Sequence, residues 1–358
     1  MNKIHFLADD KQVKAIGRTI LEDKIRWFAL SGSGVEFEFE GKYISVTLEG
    51  DDESAKANGN KEVSGEFPRF AIYLNNERIV DSCLVNREET IEIYNGNREK
   101  MNIRIIKLSE APMSIMGIKS FEADDSATIK PCKDKALKIE IIGDSITCGY
   151  GVDDEVAFST ATEDVTAAYG YLAVEKMNAD YSMVSFSGYG IISGYTELDE
   201  KLTTQLVPDY YEMIGYSRGM YNGRAITNEK WDFTKFRPDI VVINLGTNDD
   251  SYCRDFQDRQ YEFANEYAKF LEMVRKNNPD AFILCAFGVM TDRLYPYIEK
   301  AAGIYKSKTG DEKIEITKLS THREENGYAA DWHPSKVSHK IAAEELYKAL
   351  EKVVARIR

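Results

Sequence analysis

The N-terminal part of the chain alternates apolar and polar residues with a period of two. Val35, Phe37 and Phe39 alternate with glutamates, a pattern typical of a strand with one buried face. Turn residues such as Asn75-Asn76 separate further short apolar runs, which predict strands over 43–48, 69–75, 78–85, 89–94 and 101–108. Many short strands with almost no helical periodicity predict an all-β, jelly-roll-like sandwich domain over residues 1–122.

The pattern changes after residues 122–136, which carry charges and little apolar periodicity. An apolar run without alternation, such as IVVINL at 240–245, is typical of a strand buried on both faces of a parallel sheet. Further strands are predicted over 137–142, 180–186 and 281–287. Helical spacing is found over 164–177, 258–276 and 338–357. Alternating strands and helices predict a three-layer α/β/α domain over residues 136–358. Residues 50–66 are polar and rich in glycine, and are predicted to form a loop.

Charge and composition narrow the range of partners. The 358 residues are 43% hydrophobic and carry a formal net charge of −14. An acidic surface repels phosphate backbones and anionic lipids, so we expect neither a nucleic-acid nor a membrane partner. The first residues, MNKIHFLADDK, contain no apolar stretch of signal-peptide length, from which we expect a cytoplasmic protein. The five cysteines and four histidines show no paired ligand spacing, so we expect no metal site.

Polar motifs lie beside the apolar runs of the second half, where the sites of α/β proteins form. The motifs are Gly143-Asp144-Ser145, Ser187-Gly188-Tyr189, Gly246-Thr247-Asn248 and Asp331-Trp332-His333. Each has a purely structural interpretation on its own: Ser145 caps a helix, Gly188 and Asn248 form turns, and His333 precedes a helix. Together they provide a nucleophile, a base and two groups that donate to an anion, which is the set required for acyl transfer.

At these residues the sequence resembles the SGNH/GDSL hydrolase superfamily, whose blocks centre on Ser, Gly, Asn and His in that order. A closer resemblance is to carbohydrate esterase family 2, carried by IGDSITCGYG at 142–151, SFSGYG at 185–190, PDIVVINLGTND at 238–249 and DWHPS at 331–335. The resemblance implies a β-sandwich followed by an SGNH domain. It also implies a serine esterase that removes O-acetyl groups from plant oligosaccharides built on mannose or xylose, without a cofactor.

The resemblance also assigns roles to single residues. Ser145 is the nucleophile and His333 its base, while the backbone N–H groups of Ser145 and Gly188 and the amide of Asn248 hold the oxyanion. The superfamily places its Asp three residues before the His, whereas position 330 is Ala here and the Asp is at 331. A triad completed by Asp331 and a Ser–His dyad therefore both stay open.

Aromatic residues near the motifs are candidates for binding a sugar ring, because an aromatic face packs well against the apolar face of a sugar. The candidates are Tyr189, Tyr195, Trp231 and Trp332, and the alternative for each is ordinary packing. Alternatives for the whole protein also stay open. They are a GDSL lipase or esterase on other small acyl esters, a carbohydrate-binding protein without turnover, and an acetyltransferase.

Overall fold

The computed structural model describes residues 2–52, 54 and 66–357, so most of the loop predicted over 50–66 lies outside the described residues. Two compact units are present. The first comprises Met1–Asp134, Ser159–Glu163 and Met213–Trp231, and the second comprises Lys135–Phe158, Asp164–Glu212 and Asp232–Arg358. The predicted domains 1–122 and 136–358 differ from these units, because two later segments pack with the first unit and its strand pairing continues past residue 122.

The first unit is an antiparallel β-sandwich, as the sequence predicts. Its strands are β1 Lys3–Phe6, β2 Lys14–Ile16, β3 Ile20–Glu22, β4 Ile25–Phe28, β5 Gly34–Gly50, β6 Arg69–Leu74, β7 Glu77–Cys83, β8 Glu88–Lys107, β9 Met116–Asp124 and β10 Thr128–Pro131. They pair in the order β3-β4-β9-β5-β8-β6-β7, with β1 on β9 and with β2 and β10 on β5. A short hairpin joins β13 (Met220–Tyr221) to β14 (Arg224–Ala225).

Two long strands, β5 and β8, organise this unit. Each was predicted as two strands with a turn between, but each runs unbroken along the other, and shifts in register occur at Gly41/Tyr43 and Ile44/Ser45. Such bulges bend a strand without ending it, which is why the turn residues there do not start a hairpin. The side chains that alternate inward from these and neighbouring strands are fully buried, among them Phe28, Phe37, Phe39, Phe70 and Phe121.

The second unit is built on a parallel sheet of five strands. They are β11 Lys138–Gly143, β12 Asp180–Ser185, β15 Ile240–Asn244, β16 Phe282–Phe287 and β17 Ile314–Lys318, in the order β12-β11-β15-β16-β17. Every residue of β12, β15 and β16 is buried, as the apolar runs of β15 and β16 predict. Strand β12 is buried although its sequence, DYSMVS, is not an apolar run.

Helices connect and cover these strands. They are α1 Ser145–Cys148, α2 Tyr169–Lys176, α3 Val207–Tyr210, α4 Thr247–Cys253, α5 Gln257–Asn277, α6 Tyr295–Thr309 and α7 Lys336–Ile357. Helix α2 packs with α7, and α5 packs with α6. This is the three-layer α/β domain that the sequence predicts. Among residues 2–52, 54 and 66–357, no helix combines the length and the apolar character that crossing a membrane requires.

The strand order determines where a ligand site forms. Strand β11 lies in the sheet between β12 and β15, the two strands that follow it in the chain within this unit. The connections that leave β11 and β12 therefore run in opposite directions across the sheet. In open parallel sheets the crevice outside the carboxyl ends of the strands at such a switch point is the usual binding site.

Candidate active site

The register of the parallel strands brings three of the sequence motifs to one level. Gly143 at the end of β11 pairs with Ser185 on β12 and with Asn244 on β15. The segments that carry Ser145, Gly188 and Asn248 therefore leave the sheet side by side at its carboxyl edge. This is the switch point of the strand order, so the sheet itself assembles the predicted site.

Ser145 opens the single-turn helix α1 directly after β11. Asp144 caps this helix, because its carboxylate accepts the N–H of Ile146 at 3.1 Å. The turn is tight enough to require glycine at 143, where a Cβ atom would lie 2.0 Å from Thr147 Oγ1. The cap is therefore Asp144 and not Ser145, the residue that the purely structural interpretation assigned to it. Ser145 is the first residue of the helix and lies at the edge of the crevice.

His333 completes a nucleophile–base pair with Ser145. Its Nε2 lies 2.8 Å from Ser145 Oγ, within hydrogen-bonding distance. Its Nδ1 lies 3.1 Å from the backbone carbonyl oxygen of Ala330. A carbonyl oxygen accepts only from Nδ1–H, which leaves the lone pair of Nε2 directed at the serine hydroxyl. This is the tautomer that can accept the serine proton.

The predicted role of Asp331 as the third member of a triad requires correction. Its carboxylate is exposed and accepts a hydrogen bond from the Tyr150 hydroxyl at 2.8 Å, whereas the Ala330 carbonyl occupies the place beside Nδ1. The reason is the backbone, because Asp331 and Trp332 have φ angles of 51° and 63°, in the left-handed region. This turn carries the Asp331 side chain toward Tyr150, and the arrangement is a Ser–His dyad.

Burial sets the protonation state of the base. Removal of His333 from solvent lowers its pKa to about 4, and hydrogen bonds to backbone carbonyls and the nearby Asp331 charge oppose this shift only in part. The imidazole is therefore neutral at neutral pH. A neutral imidazole can take up the serine proton, so the base is ready across the physiological range.

The lowered pKa predicts where activity is lost in acid. We expect kcat/KM for p-nitrophenyl acetate to fall as the pH decreases through about 4, because protonated His333 cannot accept the proton of Ser145. An ordinary histidine would place this fall at about pH 6.5. The measurement is a pH–rate profile, with circular dichroism at each pH to confirm that the protein stays folded. A fall centred between pH 6 and 7 in folded protein would contradict the expectation.

Gly188 and Asn248, the residues predicted to donate to an oxyanion, lie on the segments that leave β12 and β15 at the same edge of the sheet as Ser145. The Asn248 side-chain amide donates to the backbone carbonyl of Tyr189 at 2.8 Å, which joins the β12 and β15 segments. One N–H of that amide then remains for a ligand. Gly188 has a φ of 82°, which favours glycine, and within the described residues its backbone N–H makes no hydrogen bond. The structure thus brings together Ser145, His333, Gly188 and Asn248.

A buried carboxylate holds the loop that contains Gly188. Asp249 accepts hydrogen bonds from the backbone N–H groups of Ile191 at 2.9 Å, Ile192 at 2.7 Å and Ser193 at 3.1 Å. Burial raises the pKa of Asp249 to about 6, against the lowering effect of these N–H groups. Burial also raises the pKa of Asp144 to about 7, and the charge of Asp249 adds to this increase.

The four candidate sugar-binding aromatics divide into two groups. Trp332 is 73% exposed and Tyr195 is 54% exposed, and both are near the site, since Trp332 adjoins His333 and the Tyr195 N–H donates to the Gly188 carbonyl. Tyr189 and Trp231 are only 5% and 8% exposed. The prediction of substrate contact is corrected for these two, because their rings pack against Phe186 and against Arg18 respectively.

Sequence reasoning missed three residues that shape the site: Tyr150, Asp249 and Ala330. Tyr150 lies in the motif around Ser145, and Asp249 lies in the motif around Asn248. Their positions in these motifs were the only indication in the sequence that they shape the site. Ala330 acts through its backbone carbonyl, which no residue type reveals.

Two family profiles match the chain. The profile of the GDSL-like lipase/acylhydrolase family matches residues 141–341, and the profile described as carbohydrate esterase 2 N-terminal matches residues 15–132.

Curated relatives carry related names. The cellulase/esterase CelE of Acetivibrio thermocellus is 29% identical over 330 residues, which cover 89% of this chain and 36% of that protein. An acetylxylan esterase/glucomannan deacetylase of Cellvibrio japonicus is 23% identical over 366 residues, which cover 99% of this chain and 92% of the relative. The chain thus spans little more than a third of CelE and most of the Cellvibrio protein.

Solved structures match the whole fold. A family two carbohydrate esterase from Clostridium thermocellum, solved with cellohexaose, superposes with a TM-score of 0.81 at 27% identity and covers 96% of this chain and 99% of its own. An acetyl xylan esterase from Butyrivibrio proteoclasticus superposes with a TM-score of 0.86 at 24% identity, covering 99% of this chain and 98% of its own. The second likeness supports the shared fold.

Proposed function

Because the chain belongs to the GDSL-like lipase/acylhydrolase family, we propose that it is a serine esterase that removes O-acetyl groups from acetylated plant oligosaccharides. The observation that carries this proposal is the contact of 2.8 Å between His333 Nε2 and Ser145 Oγ at the switch point of the sheet. The substrates that we propose are manno- or xylo-oligosaccharides.

The geometry supports a two-step acyl transfer. Ser145 Oγ attacks the acetyl carbonyl carbon while His333 Nε2 accepts the hydroxyl proton. The N–H groups of Ser145 and Gly188 and the Asn248 amide stabilise the oxyanion. The C–O bond to the sugar then breaks, and His333 returns the proton to the departing sugar oxygen. Water, deprotonated by His333, attacks the acetyl-serine, which releases acetate and restores Ser145.

The choice of an acetylated sugar rests on the relatives and on one exposed ring. CelE and the Cellvibrio protein are named as esterases, the latter for acetylxylan and glucomannan, and the N-terminal profile is that of a carbohydrate esterase. In this chain Trp332 presents a largely exposed ring beside the base, supported by an edge contact to Tyr328 with ring centroids 5.3 Å apart. Such a ring can pack against the apolar face of a sugar.

This role for Trp332 predicts a selective loss of activity. We expect Trp332→Ala to lower kcat/KM for acetylated xylo-oligosaccharides by about tenfold, the effect of losing ~1–2 kcal/mol of stacking. The value for p-nitrophenyl acetate should change by less than about twofold. Steady-state assays of both substrates on both proteins measure the difference.

A matched control is Tyr261→Ala. Tyr261 is also an exposed ring in edge contact with another ring, Tyr297, at 5.7 Å, but it lies on α5, which contributes no residue to the site. In this variant kcat/KM should be unchanged for both the acetylated oligosaccharides and p-nitrophenyl acetate. If Trp332→Ala lowers kcat/KM for both substrates equally, Trp332 does not stack on the sugar, and the substitution acts on the turn that holds His333.

The proposal competes with an esterase for longer acyl chains, and hydrolysis of p-nitrophenyl acetate, butyrate and octanoate separates the two. A deacetylase should prefer acetate, because a small acyl pocket excludes longer chains. A preference for octanoate would instead place the protein with the lipases of its family. Specific binding of acetylated oligosaccharide without release of acetate would identify a carbohydrate-binding protein.

A further inference from the structure

Tyr150 contacts the base and a residue of the turn that carries the base. Its ring stacks on the His333 imidazole, with centroids 4.2 Å apart and planes inclined at 28°, and it also stacks on Phe158 at 4.1 Å and 11°. Its hydroxyl donates to the exposed Asp331 carboxylate at 2.8 Å. A stack of three rings restricts rotation of the imidazole, because the ring cannot turn without losing its contact with Tyr150.

The second contact acts on the backbone that orients the base. Asp331 and Trp332 both have the left-handed backbone conformation, which residues other than glycine adopt rarely and which must be held by its surroundings. This turn places the Ala330 carbonyl so that it accepts the His333 backbone N–H at 3.0 Å and lies 3.1 Å from Nδ1. Within the described residues, the Asp331 carboxylate makes no other hydrogen bond than the one from Tyr150.

We propose that Tyr150 is a positioning residue for the Ser–His dyad. It holds His333 by ring stacking and by the hydrogen bond from its hydroxyl to Asp331, which we call the latch. The latch stabilises the left-handed turn, the turn orients the Ala330 carbonyl, and the carbonyl selects the tautomer in which Nε2 carries no proton. Asp331 thus acts on the imidazole only through the backbone turn. This inference rests on the proposed function, because it assigns the catalytic base to His333.

The test uses four variants of the full chain with p-nitrophenyl acetate as substrate. Tyr150→Phe keeps the stack and removes the latch, and Asp331→Ala removes the latch from its exposed end. The double variant removes both partners. Asp331→Asn keeps an oxygen that can accept the Tyr150 hydroxyl, so it is the rescue variant.

We expect Tyr150→Phe and Asp331→Ala each to lower kcat by about tenfold or more, since small misplacements of a catalytic group have large effects on rate. KM should stay within about twofold, because the latch does not touch the substrate. The double variant should be no worse than either single variant, as expected for two ends of one interaction. Asp331→Asn should recover most of kcat.

The control is Tyr347→Phe on α7. It also removes a tyrosine hydroxyl that donates to a carboxylate, in this case that of Glu351 at 2.7 Å. It should keep the wild-type kcat. Thermal unfolding of every variant separates loss of fold from loss of positioning. Wild-type kcat in Tyr150→Phe, or losses that multiply in the double variant, would overturn the latch.

Comparison with Ser145→Ala distinguishes failure of the latch from failure of the proposed function. If Ser145→Ala is inactive while Tyr150→Phe is fully active, the latch is wrong and the proposed function stands. If Ser145→Ala keeps full activity, the proposed dyad is wrong and the latch is overturned with it.

Discussion

Replacing Ser145 with alanine is expected to lower kcat for p-nitrophenyl acetate by at least about 10⁴-fold, because no other hydroxyl is bonded to His333 Nε2 among the described residues. His333→Ala should lose a similar factor, since an unassisted serine hydroxyl is a weak nucleophile. The double variant should be no slower than the single ones, because the two residues act as a unit. Initial rates at high enzyme concentration measure the residual activity.

The control for this set is Ser320→Ala. Ser320 also bonds through its hydroxyl, to the Glu345 carboxylate, but it lies outside the candidate site. It should keep wild-type kcat. A loss of less than about tenfold in Ser145→Ala, with the fold unchanged by circular dichroism, would mean that another group is the nucleophile.

The Asn248→Ala variant is expected to lose about 10²- to 10³-fold in kcat, the usual effect of removing one donor to an oxyanion. KM should change little, because the negative charge that the amide stabilises develops only in the transition state. The measurement is the separate determination of kcat and KM for p-nitrophenyl acetate.

One complication is that the Asn248 amide also donates to the Tyr189 carbonyl at 2.8 Å, so its removal disturbs the adjacent loop. Asn277→Ala provides the comparison, because this amide also donates to a backbone carbonyl, that of Met273 at 3.1 Å, on α5. It should leave kcat unchanged. A large rise in KM with an unchanged kcat in Asn248→Ala would assign the amide to substrate binding instead.

The sequence was sufficient to predict both fold classes, because period-two alternation and unbroken apolar runs report burial directly. Among the elements of the second unit that were missed, strand β17 and helix α6 have a clear physical reason. Strand β17 lies at the edge of the sheet and buries only Ile314, so it lacks the apolar run of its neighbours. Helix α6 is buried through Ile298, Ala301, Ala302 and Tyr305, and its two alanines give a weak apolar stripe.

In the candidate site, the sequence predicted the roles of side chains but not the role of the backbone. Ser145, Asn248 and His333 were predicted because their residue types are required for the chemistry, and because Ser145 and Asn248 follow apolar runs while His333 precedes the last helix. The partner of the base was not, because position 331 carries the expected residue type in a left-handed turn that points it elsewhere. A sequence shows which carboxylate is near the base, and only the backbone conformation decides whether that carboxylate reaches it.

The most direct test of the account is acetate release from acetylated xylo-oligosaccharides by the wild-type protein and by Ser145→Ala. The account predicts steady release by the wild type and a rate at least about 10⁴-fold lower in the variant. Release that is undiminished in Ser145→Ala would contradict the mechanism. A wild-type protein that cleaves p-nitrophenyl esters but frees no acetate from the oligosaccharides would contradict the proposed substrate.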